Sequence, residues 1–410
     1  MRTESPYWMK KTLVLFTILV MAAGACPASD VEDLVADNTR FALKLYKDLN
    51  DGSGNLFFSP YSISTAMAMT WGGARGETAN QMAGALEFTL KPDKEGGPLG
   101  RERLHIAFGE LQRSLRAAGG KGGVEMSIAN ALWPQKDYPF LKSYLEMIEA
   151  EYGSASRPLD YRSPEEARGV INRWVEGETR RKIKDLLPEG SIDSMTRMVL
   201  TNAIYFKGNW ATQFNVKRTR EMPFRLAAGK SRKTPMMFQK GNFGYFQDDE
   251  VQVLEMPYKG EKVSMVVLLP RKVDGLAALE KHLAAEKLSG WLGKLRRVKV
   301  DTLFPRFKLT SRFDLSGKLQ NLGMKKAFSD ADFSGMDGTT KLYLSAVFHK
   351  AFVEVNEEGT EAAAATGAVV GLRSIRRGPS FRADHPFLFL IRDKATGSIL
   401  FLGRYVSPAS

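Results

Sequence analysis

The sequence predicts an α+β fold in one interlocked domain, on three observations. Helical periodicity dominates the first half of the 410 residues and strand patterning the second. No internal repeat, disordered linker or break in composition divides the chain. Its 43% hydrophobic and 26% charged residues describe an ordinary soluble globular protein with enough length for a large core.

The elements follow in chain order. Ser29-Asp30-Val31-Glu32 reads as a capping box, Ser29 accepting from the third helical N–H while Glu32 reaches back. Val31, Leu34, Val35, Phe41, Ala42, Leu45, Tyr46 and Leu49 recur at helical spacing, predicting an amphipathic helix over 30–50. Asn55–Phe58 is a short apolar strand. Ser59-Pro60 is an N-cap with proline in the first turn of a helix through Met69, and Gly72-Gly73 then breaks the chain. Helical patterns at 77–87 and 101–117 flank a Pro/Gly-rich loop, and Gly119–Gly123 turns into a strand over Val124–Trp133. Pro139–Tyr152 reads as helix, and Ser163-Pro164 opens another that runs to about Ile183. Met198–Trp210 is a long strand rich in β-branched and aromatic residues.

From 221 onward the character is β. Val251–Tyr258 and Lys262–Leu269 read as a hairpin, interrupted from the next strand, Val298–Leu309, by a helix over 274–293. Gln320–Met324 sits in a short helix and Leu342–Val355 is a long strand. Phe387–Ile391 and Ser398–Gly403 close the chain as an apolar hairpin.

Residues 1–25 read as a signal peptide: Lys10 and Lys11 precede the apolar run Thr12–Ala25 and the small-residue site Ala23-Gly24-Ala25. A run of 14 residues is too short to span a bilayer comfortably. The mature domain is then 26–410, secreted, extracellular or periplasmic. Cys26, the only cysteine, follows the site directly, so no disulfide forms within the chain. Ala23-Gly24-Ala25-Cys26 resembles a bacterial lipoprotein box that would anchor the protein through a lipidated Cys26, but it lacks the usual leucine three residues before the cysteine, and Pro27 follows. The absence of N-x-[ST] sequons and of disulfides fits a bacterial exported protein.

Enzyme signatures are missing. The four histidines, His105, His282, His349 and His385, lie in neither HExxH nor a Cys/His metal spacing. Gly229-Lys230-Ser231 imitates a phosphate loop, but Phe224 stands where its first glycine belongs. No GxSxG elbow occurs. The expectation is a non-enzyme without metal or cofactor. The net charge of +13 favours acidic partners, with heparin-like polyanions suited to Arg296, Arg297 and Lys299 and to the region of Arg113 and Arg116. No nucleic-acid partner is expected.

One stretch stands apart. Glu357–Pro379, EEGTEAAAATGAVVGLRSIRRGP, opens with charge and then stays small and apolar, without charge between Glu361 and Arg373 or proline before Pro379. It is too poor in large side chains for a core strand and too apolar for a solvated loop. On a strand, side chains alternate faces. If Thr360 points inward, so do Ala362, Ala364, Thr366, Ala368 and Val370, and none of them would overpack a sheet that opened to receive it.

Several blocks resemble the serpins, the serine protease inhibitors. They are Asn55–Asn80, Ile171–Leu187, Leu200–Trp210, Phe304–Met336, His349–Ala365 and Asp384–Pro408, and they span nearly the whole mature chain. The pairing of EEGTEAAAA with HPFLFLIRD is the most specific part. The resemblance implies three β-sheets, about nine helices, and a reactive-centre loop at about 357–381 held outside a metastable fold. Its hinge would be Glu357, Glu358, Gly359, Thr360, Glu361, Ala362, Ala363, Ala364 and Ala365. Counting the family's usual seventeen residues from Glu357 puts the reactive bond at Arg373-Ser374, with Arg376 and Arg377 as alternatives. The run Thr366–Ser374 looks similar to an antithrombin-type loop, and Arg373 suits a trypsin-like pocket with a buried carboxylate. Asn209 and Trp210 match the top of the central sheet where insertion starts. Ser59, Ser62, Asn202 and His349 match the polar cluster over which its strands part.

The implied activity is a single-use trap. A trypsin-like serine protease attacks Arg373, and the loop inserts as a new strand before the acyl-enzyme is hydrolysed. The expected state is monomeric, with loop–sheet polymerisation open to it. Two other readings remain: a non-inhibitory carrier or chaperone, and a cysteine protease inhibitor working through the same loop.

Overall fold

The computed structural model describes residues 28–90, 99–118, 124–154, 157–226, 229–360 and 378–408. Residues 1–27, with the expected signal peptide and Cys26, and residues 361–377, with the rest of the loop, lie outside them.

Ten α-helices and fourteen strands are formed among the described residues. Helices α1 (Ala28–Leu49), α2 (Pro60–Gly73), α3 (Gly76–Ala85), α4 (Leu99–Ala118), α5 (Lys142–Tyr152) and α6 (Pro164–Glu178) fill the first half, with strands β1 (Leu56–Phe58) and β2 (Val124–Pro134) between them. Then come β3 (Met198–Asn209), β4 (Arg220–Arg225), β5 (Ser231–Gln247), β6 (Val251–Pro257) and β7 (Val263–Pro270). Helices α7 (Leu276–Lys281) and α8 (Ala285–Gly293) precede β8 (Arg296–Pro305) and β9 (Phe307–Asp314). The short helices α9 (Ser316–Asn321) and α10 (Ser334–Asp337) lead to β10 (Phe348–Val355) and β11 (Gly359–Thr360), and β12 (Ser380–Arg382), β13 (Phe387–Asp393) and β14 (Ile399–Tyr405) close the chain.

A five-stranded sheet has the order β2-β3-β11-β10-β9, with β3 and β10 also paired directly. The remaining nine strands hydrogen-bond into one assembly with two halves, because the 17-residue β5 runs through both. Its early part pairs with β4 and β8, and β12 flanks β8; only Gly244–Gln247 pairs with β6, which continues into β7, β13, β14 and β1. The expected three sheets are therefore the five-stranded sheet and these two halves.

The main core packs α1–α5 against the sheets, with Phe57 stacked between Phe389 and Phe401 at 5.8 and 5.1 Å. A smaller core lies under α6, where Ile171 and Val175 meet the small residues Ala129, Ala131 and Ala203 of β2 and β3.

Several boundaries differ from the sequence expectation. The helix expected over 274–293 is two helices, parted where Ala284 turns extended (φ −136°, ψ 161°) with no Gly or Pro to announce it. The strand expected over 298–309 is β8 and β9, which belong to different sheets: after Pro305, Arg306 donates its N–H to Pro235 and the chain crosses over. The strand expected from Leu342 starts at Phe348, because Leu344 and Val347 bond to Ala327, Leu315 and Ser316 instead of to a ladder. Helix α2 continues through Gly72-Gly73, and α6 stops at Glu178, well before Ile183. Ser59 caps α2, accepting from Ser62 N–H, whereas Ser163 makes no capping bond to α6.

Candidate functional site

The site is the seam between β3 and β10. At one end the two strands pair directly and in parallel, from His349↔Asn202 to Phe352↔Tyr205. At the other end they part, and β11 lies between them, antiparallel to both: Thr360 pairs with Val355 and Gly208, and Gly359 with Asn209. The chain reaches this position by folding back directly after β10. The side-chain oxygen of Asn356 accepts from the N–H groups of Glu358 and Gly359 at 3.1 and 3.2 Å, and Asn356 N–H donates to Gly359 at 2.8 Å. Gly359 is obligatory there, because a Cβ would stand 2.0 Å from the carbonyl oxygen of Gly208. The first hinge residues are thus already seated in the central sheet.

Trp210 holds the turn in place. Its indole N–H donates to Asn356 O at 2.9 Å, its backbone N–H donates to Glu358 O at 2.8 Å, and its ring stacks on Tyr258 at 4.6 Å. Phe214 N–H donates to Glu357 O at 2.7 Å, and Lys259 N–H to Asn209 O at 2.7 Å. The buried Glu357 carboxylate accepts from the Thr219 hydroxyl at 2.7 Å and faces Arg306 at 3.7 Å. One carboxylate oxygen of Glu358 is buried without a partner. Desolvation, with Glu357 alongside, raises the Glu358 pKa against the pull of Lys207. A cleft of about 570 Å³ opens beside this turn, lined by Arg306, Lys308, Glu354, Glu357 and Glu358.

The polar cluster closes the other end of the seam. Ser59 N–H donates to His349 Nε2 at 3.1 Å, so the imidazole proton sits on Nδ1 and is given to Asn202 Oδ1 at 2.5 Å. The Asn202 amide donates to the Ser62 carbonyl, to the Ser62 hydroxyl at 2.8 Å and to Asn130 Oδ1 at 3.0 Å. The Ser59 hydroxyl donates to Leu400 O at 2.6 Å. Burial holds the His349 pKa down at about 3, so the ring is neutral. This network ties β3, β10, α2 and β14 together across the strands that pair directly.

The structure thus brings Asn209, Trp210, Glu357, Glu358, Gly359 and Thr360 together at one end, and Ser59, Ser62, Asn202 and His349 at the other. Glu361, Ala362, Ala363, Ala364, Ala365, Arg373 and Ser374 lie outside the described residues. Beyond them the chain resumes at Gly378, on the far edge of β8, where Asp301 N–H donates to Pro379 O at 3.0 Å. Arg296, Arg297 and Lys299 are exposed on β8, and Arg113 and Arg116 are exposed near the end of α4. The β6–β7 turn connects the two groups: Lys262 donates to Ala117 O, and Glu261 pairs with Arg297. Sequence reasoning missed Asn356, Tyr258 and Asn130. Only Asn356 carried a signal, being an Asn between a strand and a charged turn.

Among the described residues no group of three or more His, Cys, Asp or Glu is placed to hold a metal, and no helix is long and apolar enough to cross a membrane.

Comparison with known proteins agrees with this geometry. A family model described as "Serpin (serine protease inhibitor)" matches residues 36–408. The chain is 42% identical to the human leukocyte elastase inhibitor over 391 residues, covering 92% of this chain and 100% of that protein. It is 41% identical to human plasminogen activator inhibitor 2 over 418 residues, with the same coverages. Uncleaved ovalbumin superposes with a TM-score of 0.81 at 32% identity, covering 92% of this chain and all of that one. A loop-inserted form of cleaved ovalbumin superposes with a TM-score of 0.82 at 32% identity, with the same coverages.

Proposed function

The chain belongs to the serpin family, and on that premise we propose that it is a single-use inhibitor of trypsin-like serine proteases. It is an inhibitor and not an enzyme. The observation that carries the proposal is the seating of Gly359 and Thr360 between β3 and β10, with a run of small residues following from Ala362. The antiparallel register already set by Gly359↔Asn209 gives each following residue a place to pair.

In this reading a protease attacks the Arg373 carbonyl and forms an acyl-enzyme with release of Ser374. Residues 361 onward then zip into the seam, β3 and β10 part at the Asn202–His349 contact, and the tethered protease is carried across the molecule. Some fourteen residues at about 3.3 Å each give a travel of roughly 45 Å. Each ladder hydrogen bond adds about 0.5–1.5 kcal/mol net, and loss of one oxyanion donor in the distorted protease already slows deacylation about 10²–10³-fold.

Overall similarity does not set the target. Two relatives at 42% and 41% identity are named for different proteases, an elastase and a plasminogen activator. The residue at the reactive bond therefore carries the assignment, and Arg373 favours a pocket with a buried carboxylate. A carrier role has a structural neighbour in thyroxine-binding globulin solved with its ligand (TM-score 0.82, 30% identity), but the small, uncharged residues at the alternate positions Thr360, Ala362 and Ala364 and the absence of proline favour the trap. Inhibition of a cysteine protease would use the same loop.

Residues 1–25 are proposed to direct export, leaving a serpin domain over 26–410, with lipidation of Cys26 as a variant of that route. The relatives named above are human proteins, so the bacterial origin rests on composition alone. Mass spectrometry of the fragment released as trypsin reacts tests the reactive bond. A fragment beginning at Ser374 supports the assignment; one beginning after Arg376 or Arg377 overturns it.

A further inference from the structure

We propose that the sheet half formed by β4, β5, β8 and β12 is a docking surface for the acidic face of the target protease. This rests on the reading that Arg373-Ser374 is the bond attacked, and it adds a second determinant of which protease is trapped.

The net charge is concentrated there. Residues 217–240, 294–306 and 378–384 carry fourteen Lys and Arg against three acidic residues, which is eleven of the chain's net +13. All fourteen basic residues are exposed. The register places Arg382, Lys240, Lys299 and Arg297 in successive rows on one face. Arg382, Leu303 and Phe238 lie side by side, with the Arg218 guanidinium 4.1 Å above the Phe238 ring. Ser380, Asp301 and Lys240 form the next row, and Lys299 with Asn242 the one after.

Two of the three acids, Asp301 and Asp384, are already engaged. Asp301 pairs with Lys240 at 2.8 Å, and Asp384 with Arg225 at 2.6 Å. Lys217, Lys230, Lys233 and Lys299 have no ion-pair partner among the described residues, so their charge stays open to a partner. A merely solvated surface would spread such charge over the molecule, whereas here the rest of the chain is close to neutral.

The position of the face decides the occupant. The loop returns to the fold on this surface: Gly378 packs so closely against Lys299 that a Cβ would stand 2.2 Å from the Lys299 carbonyl oxygen. Gly378 lies five positions beyond Arg373, a reach of roughly 17 Å at most. A protease of about 220 residues has a radius of gyration of roughly 17 Å, so when it holds the Arg373 bond its surface comes within reach of these strands. Open positive charge under a partner speeds encounter with acidic surfaces and penalises basic ones, and salt screens the effect.

The test uses the full chain and two trypsins with the same arginine specificity, one anionic and one cationic. The second-order rate of inhibition is measured at low and high salt, and boiled denaturing gels report covalent complex. Anionic trypsin is expected to be inhibited about tenfold faster or more at low salt, with the difference collapsing at high salt. The triple variant Arg297→Glu, Lys299→Glu, Arg382→Glu is expected to lose or reverse the preference while still forming complex with both enzymes; Lys299→Gln with Arg297→Gln should fall between. Equal, salt-insensitive rates with normal complexes overturn the docking surface alone, as does a preference the variants leave untouched. A rate that responds to an added sulfated glycan but not to protease charge assigns the face to a polyanion and also overturns it. Failure of the unmodified chain to form complex with either trypsin overturns the trap itself.

Discussion

His349 on β10 gives its Nδ1 proton to the side-chain oxygen of Asn202 on β3 at 2.5 Å, across the point where the two strands are register partners. Both residues are buried, and the contact spans the seam that loop insertion must part. Asn202→Ala would leave the His349 N–H without its acceptor inside the core. The expected cost is about 2–3 kcal/mol, read as a lower denaturant midpoint, together with faster conversion to inserted or polymeric forms on warming. A variant with unchanged midpoint and unchanged conversion would remove the contact from the opening machinery.

The same histidine makes stability pH-dependent. Burial holds His349 and His105 at a pKa of about 3 in the fold, whereas an unfolded histidine titrates near 6.5. Between these values the unfolded chain binds more protons than the folded one. Stability is therefore fully present above pH 6.5 and falls as the pH drops toward 3, by up to about 1.4 kcal/mol per pH unit for each histidine. Urea unfolding from pH 7.5 to 5 should show this loss, and His349→Gln should remove about half of the slope.

Gly359 has no room for a side chain beside Gly208. Gly359→Ala is expected to drive β11 out of the seam, with loss of its ladder bonds at about 0.5–1.5 kcal/mol each. Trp210 fluorescence reports the change, because the indole N–H bonds to Asn356 in the same turn. The variant should also consume more inhibitor per protease trapped. Unaltered fluorescence and stoichiometry would show that the hinge is not held at this position.

Thr360 is the first residue behind that glycine, paired with Val355 and Gly208. Thr360→Arg puts a charge at the entrance of the seam. Cleavage by trypsin should proceed at the unmodified rate while covalent complex disappears. Complex at full yield would show that insertion does not pass through this position.

Part of this site was legible in local chemistry: Ser59 before Pro60 announces a helix cap, and the small, apolar run after Glu361 stands out from both core strand and solvated loop. The roles of Asn209, Trp210 and the hinge came from family resemblance. The His349–Asn202 contact came from family resemblance, since nothing near either residue points to the other 147 positions away. Asn130 was missed for the same reason: its partners, Ser62 and Asn202, meet it only through the sheet. The fold class and most elements followed from periodicity, but periodicity does not say which sheet a strand joins. Residues 298–309 read as one strand-like run, yet Pro305 ends one ladder and Phe307 begins another. The break between α7 and α8 carries no Gly or Pro and depends on how Leu279, Leu283 and Leu288 are buried.

The central claim is that the hinge seated between β3 and β10 is the leading end of a strand that completes itself when Arg373 is attacked. The most direct measurement is a denaturing gel of the protein mixed with trypsin and boiled. A band at the summed mass of the two chains, less the fragment after Arg373, is expected together with loss of protease activity. Cleavage after Arg373 with all the trypsin still active and no such band would contradict it.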